Sequence, residues 1–168
     1  TNGLAFVLPW AVFLGAFAQL YASICDALKN NAFGATAFGA YAFFWLAVAS
    51  SWLIKLGVFG AVLQSAVDES QLGIAFVGYF IFTLFMTIGA TETNKTLFLI
   101  FLFIDFLFIG LALSSFHIAP EWTHKVAACS ELLISLLSFY GSAAVMLNTH
   151  FGKVFLPLGK PFGIFRKA

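Results

Sequence analysis

The amino-acid sequence predicts an all-α fold, a polytopic membrane helix bundle of which five spans are visible. Of its 168 residues, 62% are hydrophobic and 9% are charged, whereas soluble domains carry about 25% charged residues. Apolar windows of the roughly 20 residues that a membrane-crossing helix needs recur along the chain. These windows lack the period-two alternation of strands, which argues against a membrane barrel.

The apolar windows give the predicted helices in chain order. They cover residues 4–27, 33–56, 72–90, 96–116 and 126–148, and a cytoplasmic tail follows at 149–168. The break at 57–71 is open to three interpretations: an extracellular turn, a short interfacial helix, or an early start of the third span. We treat residues 1–168 as a single transmembrane domain.

The positive residues predict the orientation of the chain in the membrane. Five spans with a cytoplasmic C-terminus put six basic residues inside and two outside, the bias expected of cytoplasmic loops. The six are Lys29, Lys95, Lys153, Lys160, Arg166 and Lys167, and the two are Lys55 and Lys125. We therefore expect an integral protein of the plasma membrane with its N-terminus outside. Because the chain begins at Thr1 without an initiator Met, we also expect a further segment upstream.

The reactive side chains do not form the pattern of an enzyme. Cys25 and Cys129 are far apart in sequence, and His117 and His124 lack a thiol or carboxylate companion at ligand spacing. There is no phosphate-binding loop and no paired nucleophile and base. We expect no catalytic residue, cofactor, metal or nucleic-acid partner.

Polar residues form stripes at helical spacing on three of the predicted spans. The stripes are Gln19, Ser23 and Asp26; Tyr79, Thr83 and Thr87; and Glu131, Ser135, Ser138 and Ser142. Together they indicate a shared polar interior. Small and hydroxyl residues also let helices approach closely, so packing is the alternative interpretation.

Asp105 is the most unusual residue of the chain. It lies at the centre of "LFLIFLFIDFLFIGLAL", residues 97–113. A carboxylate at mid-span costs about 2.5–3.5 kcal/mol on insertion scales and usually faces a cavity or a partner. No Lys or Arg stands in the interior of a span to pair with it, and desolvation favours the neutral acid. We expect Asp105 to bind and release a proton on a transport path; the alternative is a neutral, structural hydrogen-bonding residue.

Three sequence blocks resemble the acetate uptake transporter family, which includes the bacterial succinate-acetate permeases. They are "NAFGATAFGAYAFFWLA" at 31–47, "FTLFMTIGA" at 82–90 and "FGKVFLPLG" at 151–159. The resemblance runs from the first span to the C-terminus and implies a six-helix protomer, usually assembled as a homo-hexamer, with a path for acetate through each protomer. The Asn-Pro-Ala-Pro-Leu-Gly-Leu signature of the family's first helix is absent, so this chain aligns with the second to sixth helices.

The resemblance also implies a narrow hydrophobic neck built from a Phe, a Tyr and a Leu. Tyr41 stands at the Tyr position and Ile104 at the Leu position, while the Phe would lie on the first helix. Asp105 falls beside the neck, although neither Asp105 nor Glu131 is a hallmark of the family. The expected pathway residues are Gln19, Thr36, Tyr41, Thr83, Ile104, Asp105, Glu131, Ser135 and Ser138.

The physics of such a neck favours transport of the neutral acid. Removing an acetate anion from water costs a large desolvation free energy, whereas neutral acetic acid loses much less when it enters an apolar constriction. The function that the resemblance implies is transport of acetate or a related short carboxylate such as succinate, proton-coupled or channel-like, with protons and the lipid bilayer as further partners. Two alternatives stay open: a channel or exporter for ammonium or another small solute, and a non-transporting scaffold or sensor.

Overall fold

The computed structural model describes residues 3–165 and is helical. Arg166 and Lys167, two of the basic residues counted above, lie outside the described residues. The helices are α1 (Leu4–Leu28), α2 (Ala32–Lys55), α3 (Ala61–Ser65), α4 (Glu69–Ala90), α5 (Lys95–Ser115) and α6 (Pro120–Phe151). Within the described residues, all of these helices except the short α3 are long and apolar enough to cross a membrane.

The helix lengths match the thickness of a bilayer. The shortest of the five long helices, α5, has 21 residues, which is about 31 Å at about 1.5 Å per residue, against a hydrocarbon core of about 30 Å. In lipid, an α-helix satisfies its backbone polar groups internally, which explains why apolar runs of this length become helices. The predicted all-α, five-span fold class is confirmed.

Polar residues at the breaks determine where several helices begin. The side chains of Asn31, Asp68 and Asn94 each accept a hydrogen bond from a backbone N–H of the first helical turn, at 2.9–3.2 Å. Helix α6 begins with Pro120, whose fixed φ and missing N–H suit the first position of a helix. It therefore starts before the apolar window at 126. The break at 57–71 contains the short helix α3.

The chain divides between Val67 and Asp68 into two compact units. In the first unit, α1 and α2 pack side by side and touch at small residues. A Cβ atom added at Gly15 would lie 2.8 Å from Cγ of Trp45, so only glycine lets the indole ring reach the α1 backbone. Nearer the connecting turn, Ser23 Oγ donates a hydrogen bond to the carbonyl of Ala35 at 2.7 Å.

Helix α1 changes its winding within the membrane span. Residues Ala11–Phe17 form a π-helical segment, and the N–H of Ala18 bonds to the carbonyl of Phe13, five residues earlier. Pro9 precedes this segment. Such π-helical segments occur as local bulges within α-helices.

In the second unit, α5 lies between α4 and α6 and packs against both. Phe108 of α5 is 1% exposed, and its ring stacks on Tyr79 of α4 with centroids 5.6 Å apart. On the other side, a Cβ atom added at Gly110 would lie 2.8 Å from the carbonyl oxygen of Thr123 in α6. This close crossing and the aromatic packing position the residues in the middle of α5.

Residues 152–165 form a non-helical segment, which we call the C-terminal strap, held by side chains of α6. Asn148 Oδ1 accepts hydrogen bonds from the N–H groups of Phe155 and Leu156, and its Nδ2 donates to the Leu156 carbonyl. The hydroxyl of Tyr140 donates to the carbonyl of Pro157 at 2.7 Å. These bonds give the "FGKVFLPLG" block a defined conformation against α6.

The strap also binds the ends of α4 and α5. The carbonyl of Leu158 accepts hydrogen bonds from both the N–H and the hydroxyl of Thr96, each at 3.0 Å. The N–H of Phe162 donates to the carbonyl of Thr91 at 2.8 Å. The ring of Phe162 packs edge-on against Phe98 with centroids 5.0 Å apart. The strap thus ties the three helices of the second unit together at one end.

Candidate functional site

Asp105 lies in the middle of α5 and is 5% exposed. Its Oδ2 atom accepts a hydrogen bond from the hydroxyl of Thr87 on α4, at 2.7 Å. Thr87 is itself buried, at 8% exposure. The carboxyl group therefore lies in the contact between two helices of the same unit and does not face open surroundings.

The second oxygen of Asp105 is in a different environment. Oδ1 is buried and has no hydrogen-bond partner within the described part of the chain. A buried carboxylate oxygen without a donor is costly, and native structures rarely leave one without a functional or solvent explanation. The two oxygens of this carboxyl group therefore differ: Oδ2 accepts a hydrogen bond from Thr87, whereas the buried Oδ1 accepts none within the described residues.

The polar stripe of α4 includes the partner of Asp105. Thr83 is 0% exposed, and its hydroxyl donates to the carbonyl of Tyr79 in its own helix at 2.7 Å. Thr87, one turn later, instead turns its hydroxyl to Asp105. The sequence marked Tyr79, Thr83 and Thr87 as a stripe, but our set of pathway residues included Thr83 and omitted Thr87. Only the relative rotation of α4 and α5 shows which threonine meets the carboxyl group.

The other candidate residues of the second unit lie in more open positions. Ile104 precedes Asp105 and is half-buried. Glu131, Ser135 and Ser138 are exposed on α6, whose buried residues are Ala127, Ser130 and Ala144. The hydroxyl of Ser135 donates to the carbonyl of Glu131 in its own helix at 2.9 Å. The stripe on α6 is thus on a different side of the helix from its buried positions.

The first unit carries the remaining candidates. Gln19 on α1 and Tyr41 on α2 are half-buried, and Thr36 on α2 is exposed. Ser23, which shares the α1 stripe with Gln19, uses its hydroxyl to bond α1 to α2 through Ala35. At this position the packing interpretation of the stripe accounts for the hydroxyl group.

Comparison with known proteins identifies the family. Residues 2–158 match the sequence profile of the GPR1/FUN34/yaaH family. The chain belongs to the GPR1/FUN34/yaaH family. The resemblance based on the three sequence blocks is confirmed, since this is the family of the bacterial succinate-acetate permeases.

Individual members of the GPR1/FUN34/yaaH family match over most of the chain. The succinate-acetate/proton symporter SatP of Escherichia coli (strain K12) is 31% identical over 155 residues, which cover 92% of this chain and 79% of that protein. Acetate permease A of Emericella nidulans is 34% identical over 114 residues, covering 62% of this chain and 37% of that protein. The solved structure of the bacterial acetate channel SatP superimposes with a TM-score of 0.74 at 30% identity, covering 92% of this chain and 83% of that one.

Proposed function

We propose that this chain transports acetate and related short carboxylates across the membrane. The proposal is supported by membership of a family whose members are named as acetate permeases, symporters and channels. It is carried by one observation within the molecule: a carboxyl group, Asp105, buried at the centre of a membrane span and bonded there by a hydroxyl. The function is transport and not catalysis.

The substrate crosses as the neutral acid, and Asp105 exchanges the proton. Burial of a carboxylate in an apolar span is expensive, and a neutral acid group removes that cost. The same argument applies to the substrate, because acetic acid is desolvated far more cheaply than acetate. A proton that passes between the two carboxyl groups leaves one of them ionised at a time.

Tyr41 narrows the path in the first unit. Its ring gives an apolar surface that a small monocarboxylic acid can pass, and its hydroxyl can bond a carboxyl oxygen. Half-buried Gln19 offers a further neutral hydrogen-bonding group on α1. Neutral groups of this kind bind a carboxylic acid weakly, which suits conduction through several sites.

The proposal also covers the oligomeric state of the transporter and its orientation in the membrane. The working form is a homo-hexamer in the plasma membrane, and protons accompany the carboxylate. The C-terminus and the C-terminal strap lie on the cytoplasmic side, where the positive-inside rule puts Lys95, Lys153 and Lys160.

The test is uptake of radiolabelled acetate by proteoliposomes across a range of external pH. We expect wild-type uptake to depend on pH and Asp105→Asn to lose most of that dependence while retaining a slow, pH-insensitive leak. Asp68→Asn is the matched control, because Asp68 is an exposed helix cap and asparagine also caps helices. The control should keep the wild-type profile.

Two outcomes would contradict the proposal at different levels. Wild-type vesicles that take up no more acetate than protein-free vesicles would refute carboxylate transport, and faster efflux of ammonium than of acetate would favour the ammonium alternative. An unaltered pH profile in Asp105→Asn would mean that the proton is exchanged in solution and that Asp105 is structural.

A further inference from the structure

We propose that Thr87 is a positioning residue, which anchors Oδ2 of Asp105 so that Oδ1 alone takes up and releases the proton. This inference deepens the proposed function and rests on it for its role in transport. Its first observation is the bond from the Thr87 hydroxyl to Oδ2 at 2.7 Å. Its second is the buried Oδ1 atom, which lacks a hydrogen-bond partner among residues 3–165.

The hydroxyl groups of Thr87 and Thr83, which share one stripe of α4, donate to different kinds of acceptor. A threonine inside a helix commonly bonds the carbonyl four residues earlier. Thr83 does this with the carbonyl of Tyr79, whereas Thr87 donates its proton to Asp105 on the neighbouring helix. Since a hydroxyl has only one hydrogen to donate, this bond commits Thr87 to the carboxyl group.

The bond persists through both protonation states of Asp105. In the carboxylate, Oδ2 accepts from Thr87 and Oδ1 has no donor among the described residues. In the acid, the proton sits on Oδ1 and Oδ2 remains a carbonyl oxygen that still accepts from Thr87. The carboxyl group therefore has no need to rotate. A substrate acid transfers its O–H proton to Oδ1 and becomes a carboxylate, and the reverse transfer regenerates both starting groups.

The other titratable side chains on the helix of Asp105 and on the two helices beside it are exposed or half-buried. Among the described residues, Asp105 is the one titratable side chain in the buried polar set, whose other members are threonines and a serine. On α4, the nearest titratable group along the polar stripe is Tyr79, whose ring stacks on Phe108. On α6, which packs on the other side of α5, Cys129 and Glu131 are exposed. Thr87 is thus the one hydrogen-bond donor that the described residues supply to this carboxyl group.

The test is an infrared titration of purified protein in proteoliposomes, following the carbonyl band of protonated carboxyl groups that Asp105→Asn removes. In Thr87→Val the lost donor no longer stabilises the carboxylate, so the midpoint of the Asp105 band should move to higher pH by about one pH unit. Thr87→Ser keeps a hydroxyl and should restore the wild-type midpoint. Thr87→Ala replaces the valine variant if that protein does not assemble.

Thr91→Val is the matched control for the loss of a buried hydroxyl. Thr91 lies one turn after Thr87, and its hydroxyl bonds the carbonyl of Ile88 in the same segment. Its removal should leave the midpoint of the Asp105 band unchanged. In transport assays, Thr87→Val should shift the pH profile of acetate uptake in the wild-type background and have no effect on the profile in the Asp105→Asn background.

The outcomes separate this inference from the proposed function. An unshifted midpoint in Thr87→Val, a serine variant that behaves like valine, or the lack of any titrating band that Asp105→Asn removes would each overturn the positioning role. The infrared titration needs no substrate. If Thr87→Val shifts the midpoint but the wild-type protein takes up no acetate, the positioning role of Thr87 at Asp105 is supported and acetate transport is refuted.

Discussion

Replacing Gly110 with alanine should destabilise the second unit by separating α5 from α6. The added Cβ would lie 2.8 Å from the carbonyl oxygen of Thr123 and 2.9 Å from the backbone nitrogen of Ala127. Ordinary contacts between non-bonded heavy atoms begin at about 3.5 Å, so the helices must move apart by about 0.7 Å. Both obstructing atoms belong to the backbone of α6, so a change of rotamer cannot relieve the clash.

The magnitude follows from two opposing effects. Overpacking of a close contact costs about 1–3 kcal/mol. Alanine in place of glycine inside a helix raises the free energy of unfolding by about 0.5–1 kcal/mol, because alanine has the higher helix propensity. We therefore expect Gly110→Ala to lower the free energy of unfolding by about 1 kcal/mol, within a range of about 0–2.5 kcal/mol.

The assay is reversible unfolding in mixed micelles, followed by circular dichroism, with Gly78→Ala as the matched control. A Cβ added at Gly78 of α4 meets nothing within 4 Å, so that variant should be as stable as wild type or more stable by up to about 1 kcal/mol. Equal stability of Gly110→Ala and Gly78→Ala would refute the close crossing of α5 and α6.

The remaining predictions concern the path and the orientation. Tyr41→Ala should raise the uptake of lactate and succinate relative to acetate, because it removes an aromatic ring from the proposed path. Unchanged ratios in a folded variant with the oligomeric state of wild type would exclude Tyr41 from the lining. A cysteine in place of Glu121 should react with an impermeant thiol reagent added outside intact cells, measured on a background without Cys25 and Cys129, and a cysteine in place of Lys95 should not. The reverse pattern would invert the topology.

The positions of the membrane helices could be predicted from local sequence. Apolar runs of about 20 residues become helices in lipid because an unpaired backbone group has no water to bind. Asn31, Asp68 and Asn94 mark the starts of α2, α4 and α5, since their side chains accept first-turn N–H groups. The family could be predicted as well, because the motif blocks carry it without any three-dimensional information.

The C-terminal strap could not be predicted in the same way. Its sequence has neither helical nor strand periodicity, and the side chains that hold it, Asn148, Tyr140 and Thr96, come from α6 and α5. A segment that owes its conformation to bonds between distant side chains and its own backbone gives no local signal.

The sequence by itself determined that Asp105 stands in the middle of an apolar membrane span with no Lys or Arg in the interior of a span, because composition and helical length fix the depth of a residue in the bilayer. Only the tertiary structure decided that Thr87, and not Thr83, donates a hydrogen bond to Asp105. It also decided that the hydroxyl of Ser23 donates to the carbonyl of Ala35 on the neighbouring helix. Helical periodicity shows which residues share a face of one helix. The rotation and height of one helix against the next depend on contacts such as that of Gly110 with α6, where the fit of facing surfaces sets the register.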